Sequence, residues 1–312
     1  MRMRRVGPMV GAGLAMACAS GCDSSTPVEA FELRFAATDD GTVIGCTSSV
    51  TGLGPGGDVS IGPSDLRFYV SNVRFFDAAG VELPVELDEN AFQLSTTAGE
   101  VALIDLTGNS EGSCNGSSIS FAEGTARTND VIRGRAPVGD VARVSFDVGV
   151  PQALMAETIS SYSAEGAPSP LDEMYWSWAT GYRHLVFNFT VTAGAETGEG
   201  YVHVGSTDCA AEGMLALADR ERCGFVNTAT VTLDAFDLRT NSVGLDVREL
   251  LAGIDMISPV YDPMTFEVIG QGPGVECHSS PMQEDCPTIF GNVGLDMTTG
   301  DAVGASAAFY RR

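Results

Sequence analysis

The sequence predicts an all-β fold: an antiparallel β-sandwich, disulfide-clipped, with one short helix near the C-terminal third. Three observations carry this reading. Apolar and polar residues alternate with period two in many short runs, as half-buried strands require. Thirty-seven glycines and 14 prolines are spread along 312 residues without a repeat, which suits frequent turns better than long helices. Six of the eight cysteines fall after residue 30, and an even set in an exported chain reads as disulfides.

The chain opens with an export signal. Arg2, Arg4 and Arg5 form a basic stretch, and Val6 to Ala17 is apolar but too short to span a bilayer. Cys22 follows Ala19-Ser20-Gly21, so residues 1–22 resemble a lipoprotein signal in which Cys22 is lipidated and becomes the first mature residue. An ordinary secretory signal, or lipidation at Cys18, are the alternatives. Residues 23–30 read as a polar tether and 31–312 as a single domain. The expected location is the periplasm or the outer membrane surface.

The strands follow in order. Phe31, Leu33 and Phe35 alternate with Glu32 and Arg34. Leu66, Phe68 and Val70, then Val73 and Phe75, continue the pattern across a turn or bulge at Ser71-Asn72. Asp77-Ala78-Ala79-Gly80 reads as a turn, with Val81 to Leu87 as the return strand. Further strands are expected at Val101 to Thr107, Val141 to Val150, His184 to Val191, Tyr201 to Val204 and Phe225 to Leu233. The segment between Pro151 and Ala167 reads as a polar loop. Only Val247 to Ile254 looks helical, with Leu250, Leu251 and Ile254 on one face. Spacing suggests Cys209–Cys223 and Cys277–Cys286 as local clips, leaving Cys46–Cys114. The rival reading, a thiolate metal site, lacks any C-x-x-C pair outside the signal region.

Charge narrows the function. Forty-one acidic residues face 17 basic ones, for a net charge of −24, and every basic residue is arginine. Such a surface argues against nucleic-acid binding, where a basic stripe supplies most of the affinity. No P-loop or H-E-x-x-H occurs, and three histidines leave little room for a triad or a multi-histidine zinc enzyme.

The distinctive residues cluster between 149 and 209, which holds both tryptophans and two of the three histidines. Asp65-x-x-Phe68-Tyr69-Val70, Phe146-x-x-Gly149-Val150-Pro151, Ser169-Pro170-Leu171, Met174-Tyr175-Trp176-Ser177-Trp178 with Gly181-Tyr182, His203-x-Gly205-Ser206-Thr207-x-Cys209 and Leu245-Asp246-Val247 together resemble the MbnP-type copper-binding proteins, the metallo-mystery pair four-cysteine family. The resemblance spans roughly residues 31 to 300. It implies an extracytoplasmic copper-binding protein of β-sandwich type, used in storage, sequestration or delivery, that catalyses nothing itself. It also implies a di-haem cytochrome c peroxidase-like partner, which in relatives oxidises a tryptophan at the copper site to kynurenine. The family's four cysteines map to Cys46, Cys114, Cys209 and Cys223, with Cys277 and Cys286 as an extra clip. One departure stands out: where the family carries Asn-His after Gly-Val-Pro, this chain reads Gln152-Ala153-Leu154-Met155-Ala156-Glu157.

The candidate copper ligands are therefore His203, with His184, Met155 and Met174 to complete the site, because copper accepts imidazole and Cu(I) also accepts thioether sulfur. Trp176 and Trp178 are the candidates for modification or electron transfer. Each has an ordinary alternative: a strand histidine bonded to backbone, a methionine filling core, a tryptophan used for packing. His278, next to Cys277 in a small loop, reads first as a loop histidine. The competing function is a disulfide-clipped binding or adhesion module whose contact surface is made by Trp176, Trp178 and Tyr182.

Overall fold

The computed structural model describes residues 26–108, 114, 127–161, 166–176, 181–209, 223–262, 264–265 and 267–312. Cys18, Cys22 and Trp178 lie outside the described residues.

Two sheets pack face to face. The long strand Val59–Phe76 is the spine of the larger, 11-stranded sheet. Along one edge it pairs first with Gly181–Ala193, through Leu185 opposite Phe68, and then with Arg143–Val148, starting at Val148 opposite Val70. The hairpin Gly181–Ala193 and Glu196–Gly205 extends this sheet outward to Val275–Cys277. The smaller, six-stranded sheet is built on Glu29–Asp39, flanked by Val131–Ala136 and Val243–Asp246. Phe31, Leu33, Phe35 and Leu245 from the small sheet meet Leu66, Phe68, Phe146 and Phe187 from the large one in a single core. Phe35 meets Phe68 and Phe146 edge-on, with ring centroids 5.7 Å apart in both cases.

The expected bulge is present: the register between Arg143–Val148 and Val59–Phe76 shifts where Asn72 takes a positive φ of 49°. All three expected disulfides form, with Cα–Cα distances of 4.9 Å for Cys46–Cys114, 3.5 Å for Cys209–Cys223 and 4.8 Å for Cys277–Cys286.

Several expectations are corrected. The sandwich is not purely antiparallel: Glu29–Asp39 pairs in parallel with Val243–Asp246, and Glu196–Gly205 with Val275–Cys277. The return strand expected at 81–87 is two short pieces, Glu82–Leu83 on the large sheet and Glu86–Leu87 on the small one, so the chain crosses between sheets there. The first strand starts at Glu29, inside the stretch read as tether.

The helices also differ from expectation. Val247–Leu250 is a single turn, capped by the Asp246 carboxylate and followed by a turn that ends at Gly253 with φ 82°. The stretch read as a polar loop contains a helix, Gln152–Ser161. Its pattern is hard to see because Leu154, Met155 and Thr158 are its only buried residues, and packing rather than amphipathicity holds it. A further helix, Cys286–Val293, carries Pro287 in its first turn and ends at Gly294 with φ 89°.

Candidate metal centre

Period-two alternation sends Leu66, Phe68, Phe187, Val202 and Val204 into the shared core and therefore sends Asp65, Arg67, Tyr69, Val186, Asn188, Tyr201 and His203 to the opposite face of the large sheet. That second face is not solvated. The helix Gln152–Ser161 and the segment 166–176 cover part of it, forming a second core of Tyr69, Val101, Leu103, Val150, Leu154, Met155, Leu171, Met174, Tyr182 and Val186. Beyond this apolar patch the face carries a row of buried polar groups, because the register places Asp105 beside Arg67, Asp65 beside Asn188, and Asn188 beside Tyr201.

Arg67 and Asp65 are both fully buried and form a two-pronged ion pair, Nε to Oδ1 at 2.9 Å and Nη2 to Oδ2 at 2.7 Å. Glu173 approaches the same guanidinium at 3.6 Å and also pairs with Arg127 at 2.7 Å. Asp105, 2% exposed, completes the cluster. Burial pushes its carboxyl up from 3.8 to about 7, outweighing the Thr107 N–H bond and the nearby Arg67.

His203 sits at the next position along the row. Its Nε2 lies 2.8 Å from Asn188 Oδ1, so Nε2–H donates to the amide oxygen and Nδ1 keeps its lone pair. Nδ1 lies 2.8 Å from Nδ1 of His278, with the two rings 4.6 Å apart. Burial drives the His203 pKa well below the usual imidazole value, and the neighbouring His278, Arg183 and Arg67 add to this. His278, half-buried, is lowered too, first by burial. Both rings are therefore neutral donors at pH 7. Tyr201 flanks them, its ring 5.4 Å from His278 and its hydroxyl bonded to Glu199. A cleft of about 680 Å³ opens here, lined by Glu196, Glu199, Tyr201, Tyr261, Glu276 and His278 among others.

The motif around His203 has a local explanation. Gly205, two residues on and on the same face, lies under the Trp176 indole: a Cβ there would come within 2.8 Å of Trp176 Cζ2 and 2.3 Å of the Tyr182 carbonyl. The indole thus packs on the face of the sheet that carries His203, over Gly205, which lies about 7 Å from His203 along the strand. Ser206 receives the Tyr182 N–H on its hydroxyl at 2.9 Å and the Trp176 Nε1–H on its carbonyl at 3.0 Å. Thr207 pairs with Phe225 in a single bridge, and Cys209 closes onto Cys223.

The other expected ligands lie elsewhere. His184 occupies the fork where Gly181–Ala193 and Arg143–Val148 part along the spine strand. Its Nδ1 accepts from Val150 N–H at 3.2 Å and its Nε2 donates to the Val226 carbonyl at 2.8 Å, so the backbone holds both nitrogens, and burial lowers its pKa to about 4. Met155, in the helix Gln152–Ser161, is buried with its sulfur 3.6 Å from Cys223 Sγ. Met174 is buried in the second core, its N–H near the Tyr69 hydroxyl at 3.4 Å. None of the three is brought to His203 by any contact among the described residues. The residue that is, His278, was visible in sequence only as a neighbour of Cys277. Trp176 and Tyr182, 4% and 0% exposed, offer no contact surface of the kind a binding module requires. Among the described residues no group of three or more His, Cys, Asp or Glu side chains is placed to hold a metal ion, and His203 and His278 stand as a pair of imidazoles.

The family model described as MbnP matches residues 28–265. Among solved structures, MbnP from Methylosinus trichosporium is similar in fold and sequence: 26% identity and a TM-score of 0.65, over 91% of this chain and 98% of that chain. No functionally curated protein matches the chain.

Proposed function

The chain belongs to the MbnP family, and on that premise we propose that it is an exported copper-binding protein that stores, sequesters or hands on the metal and catalyses no reaction of its own. The observation that supports this most is the state of His203. It is buried, neutral and fixed through Nε2 by Asn188, and it turns Nδ1 toward another nitrogen donor rather than a carbonyl or carboxylate. A ligating histidine whose second nitrogen is held by a polar partner is the usual construction of a protein metal site. The donor chemistry fits: imidazole suits copper, and Cu(I), a filled-shell ion, accepts as few as two ligands.

Three further parts of the reading rest on the family and on the N-terminal sequence. Copper is the cargo. A di-haem peroxidase-like protein is the partner, with Trp176 or Trp178 as the residue it would act on. Cys22 carries a lipid that anchors the chain to a membrane, and Cys22→Ser should release it into the soluble fraction.

The test is the metal content of protein purified from its natural host. The reading expects about one copper per chain in the wild type and none in His203→Ala. Copper-free wild-type protein would contradict it.

A further inference from the structure

We propose that His278 is the second copper ligand, so that the ion is held between Nδ1 of His203 and Nδ1 of His278. This rests on the copper-binding reading above and adds the identity of the ligand set. His278 lies outside residues 28–265, in a loop of its own construction.

That loop is built to present the imidazole. The Cys277–Cys286 disulfide closes it, and Val275–Cys277 adds to the sheet in parallel with Gly200–Val202, directly before His203. The Ser279 hydroxyl then ties the loop to the same strand: it donates to the His203 carbonyl at 2.8 Å and accepts from the Gly205 N–H at 2.9 Å. Ser279 takes a positive φ of 57° to do so. Gln283 holds the other side of the turn, receiving the His278 N–H at 2.6 Å and donating to Glu276 at 2.9 Å. Two neutral imidazoles are thereby set with their Nδ1 atoms 2.8 Å apart, one rigid on a strand and the other at a loop on the edge of an open cleft.

The two nitrogens now share one proton, and a metal ion would replace it. Metal–imidazole bonds of about 2.0 Å put two ligating nitrogens at most about 4 Å apart, so the His278 ring must withdraw by about 1 Å to admit the ion. His278 is the half-exposed member and stands outside the sheet interior, whereas Asn188 fixes His203. Binding would need a tautomer change and no net proton release: with Cu(I) on both Nδ1 atoms, His278 would give up its Nδ1 proton and carry one on Nε2 instead, and no redox change is required.

The test is a Cu(I) competition titration of the disulfide-intact protein against a chromogenic chelator, for wild type, His203→Ala, His278→Ala and His184→Ala. His203→Ala and His278→Ala should each weaken binding by more than the roughly 10–100-fold that loss of an outer-shell partner costs, and His184→Ala should leave it unchanged in folded protein. Wild-type affinity in His278→Ala, with binding lost in His203→Ala, overturns the assignment of His278 and leaves the copper-binding reading intact. No binding by the wild type overturns both. A second readout guards against misfolding of a variant. The wild-type chain has three histidines, so 15N-histidine labelling resolves every ring. Cu(I) should move the Nδ1 signals of His203 and His278 and leave His184 in place. An unmoved His278 signal overturns the proposal.

Discussion

Replacing Asp105 by asparagine should remove a pH dependence of stability that the wild type carries. Asp105 ends the strand Gly99–Asp105 beside Arg67, 2% exposed, with Asp65 and Glu173 close by. Burial raises its pKa from 3.8 to about 7, so between those values the folded protein holds a proton that the unfolded chain has released. Its contribution is therefore fully present below about pH 4 and is lost as pH rises through about 7. The displacement corresponds to about 4 kcal/mol in full, of which about 3 kcal/mol falls between pH 5 and pH 8. The amide of the variant cannot ionise, so Asp105→Asn should gain about 3 kcal/mol on the wild type over that interval. Urea unfolding at pH 5, 6, 7 and 8, with equal m-values for the two proteins, measures this. Parallel stability curves would refute the reasoning and place a charged carboxylate in the cluster at every pH.

Three other outcomes follow from the same face of the sheet. Asp65→Ala leaves the Arg67 guanidinium buried without its two-pronged partner and should cost about 3–5 kcal/mol in urea unfolding, where a loss under about 1 kcal/mol would mean the pair is solvated. Opening the Cys277–Cys286 clip with a double serine variant should cost about 3 kcal/mol by the chain-entropy account, measured by reversible denaturation. Asn188→Ala frees the Nε2 of His203 and should weaken copper binding by roughly 10–100-fold in a chelator competition with the fold retained.

Much of the fold was legible because alternation is a local signal. Phe31, Leu33 and Phe35, or Val144, Phe146 and Val148, declare one buried face within a few residues, and the structure puts each set in the shared core. The short disulfides were legible for the same reason. What was not legible depends on the other face. Asp65 and Arg67 alternate with Leu66 and Phe68 as solvent-facing residues would, yet a helix and a loop from residues 152–176 help to bury them. The helix itself was hidden because only three of its ten residues are buried and one of them, Thr158, is polar. His203 could be named from its motif, but its partner could not, since 75 residues separate it from His278 and only the parallel pairing of Val275–Cys277 with Glu196–Gly205 brings them together. Pairing the last two cysteines was the one available hint, because it fixes the loop that begins at Cys277. His184 misled for the opposite reason: a histidine next to the motif, whose ring spans the fork between two strands and bonds to backbone at both ends.

The most direct test of the copper site is X-ray absorption at the copper edge of the loaded, disulfide-intact protein. The account predicts a first shell of two imidazole nitrogens at about 2.0 Å with the outer-ring scattering of two histidines, reduced to one in His278→Ala. A sulfur shell from Met155 or Met174, or a single histidine in the wild type, would contradict it.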